Sequence, residues 1–128
     1  RARLEAHGLV ERCQLHLCGH QLMQEVVETE VAVVLFNLGY LPGQDKSITT
    51  LVETTLSAIE QALRLLKEGG VLIVVVYPGH AQGRDEQTTL DQWIRKLDTE
   101  RYRSLRYQFE NTAAPAPYVL AVEKLKAR

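Results

Sequence analysis

Val31-Ala32-Val33-Val34-Leu35-Phe36-Asn37-Leu38-Gly39-Tyr40-Leu41-Pro42-Gly43-Gln44-Asp45-Lys46 is the stretch on which the reading of this chain turns. Residues 31–36 are apolar without alternation, the pattern of a strand covered on both faces in a parallel sheet. Beyond Asn37 the run gives way to a loop in which Gly39, Pro42 and Gly43 supply turn geometry. Thr50 and Glu53 then stand at capping-box spacing, and Leu51, Val52, Leu56, Ile59, Leu63 and Leu66 follow at helical intervals. A buried strand therefore ends at Asn37, and the chain turns before entering a helix. Ligands of open α/β sheets bind outside the carboxyl ends of the strands. Asn37, Tyr40 and Asp45 stand at such a rim, with an amide, an aromatic ring and a carboxylate. The same residues also suit a plain strand-to-helix connection, since loops of this kind both connect and carry function.

Outward from this stretch the pattern repeats. Gly69-Gly70 stops the helix, and Val71 to Tyr77 is a second continuous apolar strand that runs into Pro78-Gly79-His80 at the same rim. Asp85 to Leu97 is amphipathic, with Leu90, Trp93, Ile94 and Leu97 on one face. Two strands follow, at about Tyr102–Phe109 and Tyr118–Glu123. The segment from Asn111 to Pro117 is too short for a crossover helix, so these strands pair antiparallel. Upstream, Arg1 to His7 reads as the end of a helix stopped at Gly8. Cys13 to Cys18 alternates like a short strand, and Leu22 to Val27 is a helical piece. Strand and helix alternate until a closing hairpin, which predicts an α/β fold with a mainly parallel sheet. There is no repeat or linker, so residues 1–128 read as a single domain.

Bulk properties narrow the function classes. The chain has 128 residues, 45% hydrophobic and 24% charged, with 15 basic and 16 acidic side chains and a net charge of -1. A core of ordinary size is within reach. No global basic field points to nucleic acid, so an RNA contact must use a local patch. Arg101, Arg103 and Arg106, with Arg84, Arg95 and Lys96 on the preceding helix, are the candidates. The apolar runs are strand-sized, shorter than the ~20 residues of a membrane helix, and residues 1–12 carry no signal-peptide core. Cys13 and Cys18 lie along one strand-like segment, which disfavours a disulfide and fits a cytoplasmic setting. Cys13, His16, Cys18 and His20 cluster, but Cys13 faces away from the other three along a strand and no second pair has finger spacing, so no metal site is expected.

Several strings together resemble one family, the small bacterial methyltransferases labelled rRNA methylases. They are Phe36-Asn37-Leu38-Gly39-Tyr40-Leu41-Pro42-Gly43 with Asp45-Lys46, then Thr49-Thr50, Gly69-Gly70, Tyr77, Gly79-His80, Gly83 and Glu86. Tyr107-Gln108-Phe109 with Asn111, and Glu123-Lys124, complete the match from about Gly8 to Lys124. The resemblance implies a Rossmann-like class I methyltransferase sheet whose last strand inserts antiparallel. It implies S-adenosylmethionine as cofactor and RNA as substrate. Characterised members methylate the aminomethyl group of a thiouridine at the tRNA wobble position. There are two departures. The loop before the last strand has Ala114 and Pro115-Ala116-Pro117 where the family tends to show a second Asn and paired prolines. None of the eight glycines forms a G-x-G-x-x-G-type turn, nor is there an acidic residue ending a second strand. By resemblance residue 1 falls in the helix after that strand. The expectation is a chain whose N-terminal strands are missing, the C-terminal two-thirds of a methyltransferase with an unpaired sheet edge that invites a homodimer.

The resemblance also distributes roles. Asn37, Tyr40 and His80 are the catalytic candidates. Asn37 matches the Asp/Asn that opens the Asn-Pro-Pro-Tyr-type motif of amino methyltransferases, although Leu38-Gly39 replace the prolines. Its side-chain oxygen can accept a hydrogen bond from the attacking amine. Tyr40 can stack on an exposed base, and His80 can take up a proton. Gly19, His20, Asn37 and Leu38 are the cofactor candidates. Gly39, Tyr40, Pro42, Asp45, Lys46 and Asn111 are the substrate candidates. The competing expectation is a non-catalytic Rossmann-like remnant or interaction module, unable to bind cofactor alone.

Overall fold

The structure, a computed structural model, describes residues 2–38, 52–78, 81–114 and 116–127; at 4, 10, 20, 38, 52–53 and 81–87 it describes the backbone alone. Helix α1 (Ala2–Ala6) ends at Gly8, whose positive φ of 67° only glycine adopts without strain. A 3-10 turn, His20–Leu22, leads into α2 (Met23–Val26). Then come β1 (Val31–Leu38), α3 (Val52–Leu65), β2 (Leu66–Val76), α4 (Ala81–Arg95), β3 (Tyr102–Tyr107) and β4 (Tyr118–Lys124). The expected helices and the closing hairpin are therefore present.

The four strands form one sheet in the order β1-β2-β4-β3. β1 pairs parallel with β2, and β4 pairs antiparallel with both β2 and β3. Three of these strands thus point the same way and β4 alone is reversed. Their carboxyl ends, at Leu38, Val76 and Tyr107, share one rim.

The core lies on one face. Phe36, Leu72, Val74, Val76, Tyr118, Leu120 and Val122 of the sheet pack against Ala58, Ile59, Ala62 and Leu63 of α3 and Leu90 of α4. Trp93, Ile94 and Leu97 complete the α4 stripe from partly buried positions. Among the described residues no element covers the other face. Val33, Leu35, Leu105 and Tyr107 are 57%, 63%, 61% and 63% exposed, and Val71, Ile73, Val75, Val119 and Ala121 between them are half-buried. The run 31–36 reads in sequence as covered on both faces, whereas among the described residues only the α3/α4 side is.

α4 spans Ala81–Arg95 rather than Asp85 to Leu97, and β3 stops at Tyr107 rather than Phe109; two differences go further. β2 begins at Leu66, with no linker after α3, and runs through Gly69 and Gly70. Its register against β1 jumps between Val31↔Leu66 and Val33↔Val71, so residues 67–70 form a bulge. Gly69 has φ 82°, and a Cβ on Gly70 would lie 2.8 Å from the carbonyl oxygen of Lys67 and 2.9 Å from that of Ala32. The glycines therefore serve the bulge and the close approach of β1. The helix is closed instead by Lys124, whose Nζ donates to the carbonyls of Leu63 and Leu66. Residues 13–18 are the second difference. They form no strand and are exposed, Leu17 fully. A lone strand gains no ladder bonds, and no sheet edge pairs with this one among the described residues. The two cysteines in it are free. No helix among the described residues is long and apolar enough to cross a membrane.

Candidate functional site

The rim is built by the parallel pair. Asn37 occupies the penultimate position of β1, opposite Val75. Because cross-strand partners share a face, Asn37 projects on the side away from α3 and α4, and its side chain is exposed. Phe36, one residue earlier, points the other way and is 6% exposed. The alternation therefore anchors the strand through Phe36 and frees the amide of Asn37 at its end.

The row continues across the sheet as Asn37, Val75, Val119 and Tyr107. Three inter-strand steps of ~4.8 Å separate its ends by ~14 Å. Tyr107 meets Phe109 edge-on, with ring centroids 5.8 Å apart and planes at 74°. Both rings are exposed, 63% and 58%. This aromatic pair at the rim is a stacking surface that the site expectation missed, although Tyr107-Gln108-Phe109 was one of the strings carrying the resemblance. Asn111 lies exposed in the loop that follows.

Beside the row, on the covered face, Arg106 of β3 pairs with Asp91 of α4, and its guanidinium stands 4.8 Å from the centroid of the Tyr118 ring. Tyr118 is 1% exposed and its hydroxyl has no hydrogen-bond partner among the described residues. Burial, and then the Asp91 carboxylate, push its pKa up to about 12, against the opposing pull of Arg106. Arg106, expected in an RNA patch, is thus occupied in joining α4 to the hairpin.

Gly19 is exposed and closes the turn that begins the 20–22 segment, accepting from Leu22 N at 3.0 Å. That segment and α2 pack on α3. Gln61 ties them there: its amide nitrogen donates to the carbonyl of Gln21, and its oxygen accepts from Gln24 N at 3.3 Å. The backbone of His20 thus lies against α3, and Leu38 has its backbone at the end of β1. Gly39, Tyr40, Pro42, Asp45, Lys46 and His80 lie outside the described residues. Among the sequence candidates, then, the structure brings Asn37, Leu38 and Asn111 to one end of the sheet.

An exposed, uncharged amide at a strand end can accept a hydrogen bond from a nitrogen nucleophile, and it repels neither an amine nor a cationic sulfur compound. The comparisons bear on which. Residues 1–123 match the family described as "Putative rRNA methylase". The crystal structure of a putative rRNA-methylase from Clostridium thermocellum is 35% identical, with a TM-score of 0.92 over 97% of this chain and 67% of that one. A putative methyltransferase from Streptococcus mutans, solved in complex with SAH, is 34% identical, with a TM-score of 0.89 over 98% of this chain and 68% of that one. The chloroplastic tRNA (mnm(5)s(2)U34)-methyltransferase of Arabidopsis thaliana is 44% identical over 98 residues, 75% of this chain and 35% of the relative. The chain thus spans about a third of that curated relative and about two-thirds of the two solved chains.

Proposed function

This chain belongs to the putative rRNA methylase family, and from that premise we propose that it forms the reactive rim of an S-adenosylmethionine-dependent N-methyltransferase acting on RNA. The substrate atom is the aminomethyl nitrogen of a tRNA wobble thiouridine, as the name of the Arabidopsis relative suggests. The observation that carries the reading is the exposed amide of Asn37 at the carboxyl end of β1, beside its parallel partner β2.

The donor set suits the reacting end of that cofactor, since a neutral acceptor there tolerates a sulfonium where a cation would not. When bound, S-adenosylmethionine supplies an electrophilic methyl carbon. Asn37 accepts a hydrogen bond from the amine N–H and so aims the nitrogen lone pair, which is positioning of the kind that lowers such barriers most. The amine must be neutral to attack, a form that desolvation in the substrate complex favours. Tyr40 stacks on the target base and His80 takes up the released proton, with Gly39, Pro42, Asp45, Lys46 and Asn111 flanking the nucleotide. Gly19, His20 and the backbone of Leu38 hold the cofactor side. No glycine-rich turn within residues 1–128 is available to grip its far end.

Mass spectrometry of tRNA nucleosides from cells with and without the gene tests the reading. Loss of the terminal methyl on the wobble nucleoside is expected, and an unchanged nucleoside profile overturns it. The uncovered sheet face favours a second reading, a non-catalytic module that works against another polypeptide. Isothermal titration with S-adenosylmethionine separates the two: heat from the 128-residue chain supports the enzyme, whereas no heat from it, with binding by an upstream-extended chain, makes it the inert module while keeping the family assignment.

A further inference from the structure

Arg106 stands at the neck of the loop that joins β3 to β4. It is the penultimate residue of β3, and Tyr118 opens β4. Its guanidinium reaches three elements at once. Nη2 donates to Oδ1 of Asp91 on α4. Nη1 donates to Oε1 of Gln108, in the loop itself, at 3.5 Å. The guanidinium carbon stands 4.8 Å from the centroid of the buried Tyr118 ring, a cation–π distance. The side chains of Arg106 and Asp91 are 31% and 19% exposed, so salt screens the pair only in part. Arg106 meets Gln108, and Tyr107 meets Phe109, as residues two apart along an extended chain do.

A guanidinium is a rigid fork of N–H donors and can serve two acceptors in one plane, which the point charge of an ammonium cannot. The core does not need this link. Leu90, one residue before Asp91, is buried in the core, with Trp93 and Ile94 packed against it. What the link adds is the stance of the loop. Gln108 lies between the two rings at the rim, and Asn111 follows three residues on. We infer that Arg106, held by Asp91, is a positioning residue for the methyl transfer: through Gln108 it fixes the loop that carries Asn111 against the nucleotide whose amine meets Asn37. The assignment rests on the enzyme reading above, in which Asn111 touches the substrate and Arg106 does not. Asn37 and the loop hold opposite ends of one row of the sheet. A loop that swings loose therefore shifts the nucleotide relative to the amide, and a misplacement of ~1 Å can cost about 10²-fold in rate.

The test measures methyl transfer from S-adenosylmethionine to tRNA taken from cells lacking the gene. The parent is compared with Arg106→Gln, Arg106→Lys, Asp91→Ala, Asn111→Ala and the combined Arg106→Gln/Asn111→Ala. Arg106→Gln and Asp91→Ala are each expected to lower kcat/KM for tRNA about tenfold. KM for S-adenosylmethionine should hold, and the thermal midpoint should stay within about 4 °C. Arg106→Lys should not restore the rate, because one ammonium does not span both acceptors. The combined variant should be no slower than Asn111→Ala alone, since Arg106 acts through the loop that carries Asn111. The exposed Lys126→Gln should match the parent. Four results overturn the assignment: losses that multiply in the combined variant, a kcat/KM for Arg106→Gln within about twofold of the parent, full activity in Arg106→Lys, or a rate loss that tracks a lowered thermal midpoint. A parent chain that transfers no methyl to tRNA overturns the enzyme reading itself, and the assignment with it.

Discussion

The ammonium of Lys124, on the last residue of β4, donates to the carbonyl oxygen of Leu66 at 2.8 Å and to that of Leu63 at 2.9 Å. One cation from the far end of the chain thus closes α3 at the point where the backbone turns directly into β2. It meets two carbonyls at the negative end of the helix dipole. Hydrogen bonds to a charged group contribute about 1.5–3 kcal/mol. Lys124→Met is expected to lower unfolding free energy by about 2 kcal/mol in a denaturant titration, with an unchanged slope. The exposed Lys126→Met stays within about 0.5 kcal/mol.

Tyr118 predicts an alkaline transition. Its phenol is neutral in the folded protein with a pKa of about 12, raised from 10.0. A raised pKa contributes stability that is complete below pH 10 and is lost as pH climbs through 12, since the unfolded chain releases the proton first. Stability measured by denaturant should therefore fall across pH 10–12, and Tyr118→Phe should remove that part of the fall. At neutral pH the same substitution deletes a buried hydroxyl that has no partner among the described residues and keeps the ring under Arg106. It is expected to be neutral or stabilising by up to about 1 kcal/mol.

Asn37 separates chemistry from folding. Its side chain is exposed, so Asn37→Ala should shift stability by no more than about 0.5 kcal/mol. The proposed hydrogen bond to the amine acts in the reacting complex, so kcat should fall about 10²-fold or more while RNA affinity holds. Single-turnover methyl transfer alongside an RNA titration reads both. A kcat within threefold of the parent removes Asn37 from the machinery.

The uncovered apolar face and the open edge of β1 predict self-association. Sedimentation of the 128-residue chain should reveal dimers or larger species whose share grows with concentration. Leu35→Lys with Leu105→Lys, on two strands of that face, should return the chain to a monomer. A monomeric parent at high concentration contradicts this expectation.

The strands β1, β2 and β4, the helix α3 and the apolar stripe of α4 could be read from the chain because each carries its own periodicity. Phe36 buried beside an exposed Asn37 is likewise a consequence of the twofold alternation of any strand. Other features had no local signal. Leu65-Leu66 fits a helix or a strand equally well, so the direct passage from α3 to β2 and the bulge at Gly69-Gly70 became visible through the register with β1. Residues 13–18 alternate as a strand should, but pairing needs a neighbouring edge that no local pattern supplies. Arg106 and Arg103, three residues apart on β3, look equivalent in sequence. Among the described residues, Asp91 and Tyr118 engage Arg106 and not Arg103. The sequence by itself therefore determined β1, β2, β4, α3 and α4 and the rim those strands share, since backbone geometry and burial write these into short-range patterns. Only the tertiary structure decided which charges are spent on Leu63, Leu66 and Asp91, because such pairings join residues as far apart as 61 positions and depend on how the layers stack.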